Sequence, residues 1–201
     1  MRKNRWQICR LWEQTQRMEV GLRFGNSIGM LDEERVGGKW HLLPRIGIEI
    51  IEVGVHCGAD NATLGETERA IGDAGLSVWS VHAPFGDEVN LSSPDETVRK
   101  AAVSGVVNAV HAAAQFSAGI VVVHCGSTLI EEQEGEDVTR LAVDSVRRVL
   151  KETEGLSVTL ALENLPTGYV TQTAEELMAV VGAFPPERVG VCLDTGHAHT
   201  V

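Results

Sequence analysis

Short β-branched runs alternate with longer stretches of helical spacing along most of the chain. That alternation is the pattern of a parallel sheet with crossover helices. It predicts strands over Glu19–Phe24, Ile48–Val53, Ser77–His82, Gly119–His124, Ser157–Glu163 and Arg188–Asp194. Several are almost continuously apolar, as in Ile120-Val121-Val122-Val123, which fits strands buried on both faces. Between them, Ser93-Pro94-Asp95-Glu96 reads as a helix start, with Ser93 as the capping hydroxyl and Glu96 closing a capping box. The helix that follows puts Val98, Ala102, Val106, Ala109, Val110 and Ala113 on one stripe. A second capping box, Thr173 with Glu176, precedes Leu177, Val180 and Val181. Asp137 to Lys151 is amphipathic through Leu141, Val143, Val146, Val149 and Leu150. Between the first two strands Gly37-Gly38 and Pro44 interrupt the helical pattern.

At 201 residues the chain has room for one domain with a substantial core. Residues 1–17 have no place in the alternation. They read as an N-terminal extension, disordered or lying upstream of a misassigned start, with the domain itself over 18–201. Hydrophobic content of 43% and charged content of 22% are those of a globular protein. No membrane span or secretory leader is apparent, so a cytoplasmic location is expected. Cys9, Cys57, Cys125 and Cys192 are widely spaced and form no CxxC pair, which favours reduced, structural thiols. A net charge of −11 argues against a nucleic-acid partner and for a small substrate, because phosphate neutralisation supplies most nucleic-acid affinity.

Four strands end on residues that a buried strand should avoid: His82, His124, Glu163 and Asp194, with His197 and His199 close behind. They are 42, 39 and 31 residues apart (124 − 82, 163 − 124, 194 − 163). A barrel of ~250 residues in eight units averages about 31 residues per βα unit. The polar residues therefore recur once per unit, at the strand end where barrel enzymes assemble their sites. Any one of them has a plain structural explanation. A strand-end histidine can simply bond to a loop, and Asp194-Thr195-Gly196 can be ordinary turn chemistry. Glu163 is different, since a carboxylate after Val158-Thr159-Leu160-Ala161-Leu162 needs a partner or a metal. Carboxylate and imidazole together suit Mn²⁺, Zn²⁺, Co²⁺ or Fe²⁺, and Mg²⁺ if carboxylates dominate.

At IGIEIIEV, SVHAPF, VVVHCGS, LALENLP and VCLDTGHAH the chain resembles the xylose isomerase-like TIM barrel superfamily. That superfamily includes sugar and sugar phosphate isomerases and epimerases and the family 2 apurinic/apyrimidinic (AP) endonucleases. The resemblance implies an α/β fold of (β/α)8 TIM-barrel type, truncated here after about six βα strands and so incomplete at the C-terminus. It implies Glu163 and Asp194 as metal ligands in both branches. In the isomerase branch, one divalent ion (Mn²⁺, Co²⁺, Mg²⁺ or Zn²⁺) is expected. There Glu163 and His197 are catalytic, and His82 and His124 bind substrate. In the endonuclease branch His82, His124 and His197 also hold metal. Glu49 and Glu52 match a position where the superfamily often keeps an acid; either is a substrate contact or a strand-end charge, and the second reading is preferred.

The expectation is a metal-dependent sugar or sugar phosphate isomerase/epimerase acting through an enediolate, with a small sugar as partner and homo-oligomers allowed. Its histidine and second glutamate from the last two strands are missing, so the chain alone is expected to be weakly active or inactive. The alternatives are an AP endonuclease-like phosphodiester hydrolase and a non-catalytic barrel fragment.

Overall fold

The structure, a computed structural model, describes residues 25–29, 40–128 and 136–200. Six parallel strands form one sheet in sequence order: β1 (Gly25–Gly29), β2 (Ile50–Gly54), β3 (Ser77–His82), β4 (Ile120–Val123), β5 (Thr159–Glu163) and β6 (Val189–Cys192). Each neighbours its predecessor, the order of strands winding around a barrel. The predicted strand at 19–24, the extension at 1–17 and Cys9 lie outside the described residues.

The other five strands form where the apolar runs predict. β3 has the predicted bounds, β4, β5 and β6 are trimmed by one or two residues at one or both ends, and β2 starts two residues later and ends one later. Val53, Val81, Val121 and Leu162 are completely buried, each worth about 1.5–3 kcal/mol of transfer free energy. Between β2 and β3 the register shifts after Ile51, so that Trp79 is skipped and Glu52 faces Ser80. Between β1 and β2 the described residues hold only two short 3-10 turns, Trp40–Leu42 and Pro44–Ile46.

Helices α1 (Asn61–Asp73), α2 (Glu96–Gln115), α3 (Glu136–Glu152) and α4 (Ala174–Val181) cross between the strands, and one turn, α5 (Thr195–Ala198), follows β6. The α2 stripe packs inward as expected, with Ala102, Val106, Ala109, Val110 and Ala113 buried. Its cap differs from the expectation. Asp95, not Ser93, accepts from the Thr97 amide, because Ser93 Oγ is already taken by the Asp95 amide. Glu96 closes no box and pairs with Arg99 and Arg148 instead. The Thr173–Glu176 capping box forms as predicted. Cys57, Cys125 and Cys192 are free thiols, and burial pushes that of Cys125 up to about 12.

Candidate metal centre

His82 closes β3, His124 directly follows β4, Glu163 closes β5 and Asp194 follows β6 by two residues. Each apolar strand is driven extended by burial, so its last polar residue emerges at the same edge of the sheet. All five residues predicted for a site, His82, His124, Glu163, Asp194 and His197, meet there. Glu49 does not; it is exposed just before β2. Glu52 is not a strand-end charge either. It sits within β2 and accepts hydrogen bonds from Ser27 (3.0 Å) and Ser80 (2.7 Å) on the strands beside it.

Glu163 is the hub, at 6% exposure. His124 Nε2 donates to its Oε2 at 3.0 Å, and His82 Nε2 lies 3.5 Å from the same oxygen. Oε1 lies 3.4 Å from His197 Nδ1. The Ala83 carbonyl sits 2.8 Å from His82 Nδ1, and the Asn164 carbonyl 2.9 Å from His197 Nδ1. Carbonyls only accept, so both Nδ1 atoms carry the proton and both Nε2 atoms are left for a metal or an acid. Burial alone would raise the Glu163 carboxyl. Hydrogen bonds from and the charges of His124 and His82 outweigh it and hold the group at about 2. His82 moves the other way: burial opposes its charge, but Glu163, the Ala83 carbonyl and Glu52 raise it above its ordinary value.

Asp194 is held by the Asn164 side chain, and His197 by the Asn164 backbone carbonyl and Asp194 itself. Asn164 Nδ2 donates to the Asp194 carbonyl at 2.9 Å, and the Asp194 amide donates to Asn164 Oδ1 at 2.7 Å. Asp194 Oδ1 also caps α5 by accepting from the His197 amide at 2.7 Å, so the turn-chemistry explanation holds for that oxygen. Thr171, buried and at φ 69°, is a β-branched residue in the left-handed region, at a cost of about 1–3 kcal/mol. Its hydroxyl donates to the Glu163 carbonyl at 3.1 Å, which ties that strain to the hub.

The donors form two sets that share Glu163: His82, His124 and Glu163, and Glu163, Asp194 and His197, each with ligand atoms within 4.8 Å of one another. Ligand atoms around one tetrahedral ion with bonds of about 2.0–2.2 Å stand roughly 3.4 Å apart. Glu163 Oε2 stands 3.0 Å from His124 Nε2 and 3.5 Å from His82 Nε2, which brackets that value. The residues present therefore suit a divalent ion.

A cleft of about 330 Å³ opens beside the centre, with His124 and His197 in its lining and Phe85, Asp87, Ser127 and Tyr169 in its walls. Phe85 lies 4.4 Å from the His124 ring and 5.2 Å from His82, between centroids. Sequence reasoning named none of these four, nor Asn164 or Thr171. For Asn164 there was a signal: a second polar residue, directly after Glu163, that is also buried.

A parallel α/β sheet in sequence order, with a group of His, Glu and Asp side chains at its strand ends that could hold a metal, is the architecture of a TIM-type barrel. Residues 41–201 match the family described as Xylose isomerase-like TIM barrel, and the chain belongs to that family. It is 31% identical over 125 residues to an uncharacterized protein of Methanocaldococcus jannaschii, covering 60% of this chain and 42% of the relative. It is 29% identical over 133 residues to a probable endonuclease 4 of Persephonella marina, covering 64% and 44%. The chain thus spans about two fifths of the curated relatives it matches. A D-tagatose 3-epimerase-like protein has the same fold at a TM-score of 0.72 and 22% identity, over 87% of this chain and 66% of that one.

Proposed function

We propose that the chain carries the metal-binding half of a divalent-metal-dependent sugar isomerase or epimerase. The supporting observation is the chemistry of the site face. The described loops after β2, β3, β4, β5 and β6 contain acids, histidines and hydroxyls but no lysine or arginine. Arg99, just beyond one of them, is committed to Glu96 and to the carbonyls of Ser93 and Pro94. A duplex partner would meet a face without phosphate-binding cations; a neutral polyhydroxylated substrate would not need them.

In this reading Glu163 and Asp194 hold the ion, which polarises the sugar carbonyl when bound. Glu163 takes a proton from the carbon next to that carbonyl, leaving an enediolate, and returns it to the former carbonyl carbon to give the isomer. Epimerisation needs a second acid that protonates the opposite face. His82 and His124 hold hydroxyls through Nε2, and His197 faces the substrate at the reacting carbon. The test is solvent exchange: a ketose incubated in D2O with Mn²⁺ and the chain should gain deuterium at the carbon beside the carbonyl, and Glu163→Gln should stop it. Cleavage of an abasic duplex without any exchange would overturn the reading.

A second reading is favoured by the sharing of Glu163. Both its oxygens face donor sets, which suits two or more bridged ions and metal-activated water attacking a phosphodiester. The likeness to probable endonuclease 4 points the same way. Binding of two Zn²⁺ per chain, with abasic-site cleavage, would support it; a single ion would not.

A further inference from the structure

The cleft beside the centre has a polar feature that the proton chemistry above does not use. Ser127 is buried at 5% exposure, and its Oγ donates to Asp87 Oδ1 at 2.5 Å. The serine cannot easily move. Its carbonyl accepts from the Val170 amide at 3.3 Å, and a Cβ on its neighbour Gly126 would lie 2.4 Å from Ser92 Oγ and 2.7 Å from Val170 Cβ. Three loops, those after β3, β4 and β5, are thus locked around one carboxylate. Asp87 itself is exposed, and among the described residues Oδ2 has no hydrogen-bond partner. Phe85, 61% exposed, offers an apolar face on the same cleft, opposite no cation.

We propose that this cleft is the subsite that selects an unphosphorylated sugar, with Asp87 as its specificity-determining residue. The inference rests on the sugar reading above and narrows it. A carboxylate with one oxygen fixed by Ser127 and the other free can accept from hydroxyls on neighbouring carbons, a charge-assisted contact about twice as strong as a neutral one. Phe85 and Tyr169 cover the C–H faces of the chain. The volume of about 330 Å³ falls at the small end of small-molecule clefts. A phosphate ester would place a dianion against Asp87 with no lysine or arginine in the lining to offset it, so the same group that attracts a polyol rejects its phosphate.

Calorimetry on the Mn²⁺-saturated chain tests this with D-fructose and D-fructose 6-phosphate as probes. D-fructose should bind at least ten-fold more tightly than its phosphate. Asp87→Ala and Asp87→Asn should each weaken D-fructose about ten-fold, and Asp87→Lys should reverse the preference. Mn²⁺ affinity, measured separately, reports that each variant is folded at the centre. Tighter binding of the phosphate, or unchanged D-fructose affinity in Asp87→Ala, overturns the proposal and leaves the sugar reading standing. If neither probe binds while Mn²⁺ does, the sugar reading falls and this subsite with it.

Discussion

The two halves of the candidate centre are built by different means. His82, His124 and Glu163 rise from the middle of the sheet, where Val81, Val121, Val123 and Leu162 are fully or almost fully buried and strand pairing continues on both sides. Asp194 and His197 follow β6, the last strand of the sheet, where Val191 and Leu193 are exposed. Packing positions the first half. The second depends on Asn164, which reaches over from β5 and grips the Asp194 peptide on both sides. Ligand geometry is thus inherited from the core in one half and from a single amide side chain in the other.

The largest expected effect is at the shared residue. Glu163→Gln removes the one donor common to both sets, and Mn²⁺ or Zn²⁺ affinity should fall about a hundred-fold or more by calorimetry, since even outer partners of metal ligands are worth 10–100-fold. An unchanged affinity would mean that the halves are independent. Asn164→Ala should break the β6 half alone. It removes two hydrogen bonds from the half-buried Asp194 peptide, each worth about 0.5–1.5 kcal/mol, read in urea unfolding. Amide exchange should speed up at 194–198 and not in β4.

The central half has its own signature in pH. Glu163 has its carboxyl lowered, so its contribution to metal-free stability is complete above the ordinary 4.5 and is lost as pH falls toward about 2. His82 is raised, so its contribution is complete below the ordinary 6.5 and is lost as pH climbs through the raised value. The chelated protein should therefore gain most from this pair between pH 4.5 and 6.5, and lose that maximum in His82→Ala. Metal affinity should show the opposite slope and rise with pH, because ligands must shed protons to bind. The smallest effect lies away from the centre: Thr173→Ala removes the α4 capping box at a cost of about 1 kcal/mol, read as a lower urea midpoint with metal affinity intact.

Much of the central half was legible in the chain. Runs such as Ile120 to Val123 announce buried strands because nothing else satisfies so many branched apolar side chains in sequence, and the polar residue after each run then marks the site. Glu52 was misread because a charge inside a strand resembles a charge at its end until the hydroxyls of Ser27 and Ser80 come alongside. Ser93 was misread as a cap because Ser-Pro-Asp offers two capping groups, and only the local backbone decides between them. Asn164, Phe85, Asp87 and Ser127 act across loops separated by up to 40 positions, a contact that periodicity does not encode.

The most direct test of the account is anomalous diffraction from crystals of the chain soaked in Mn²⁺ or Zn²⁺. The account predicts a peak about 2.0–2.2 Å from a Glu163 carboxylate oxygen, with Asp194 as a second ligand. Metal found only on surface acids, with Glu163 still bonded to His124, would contradict it.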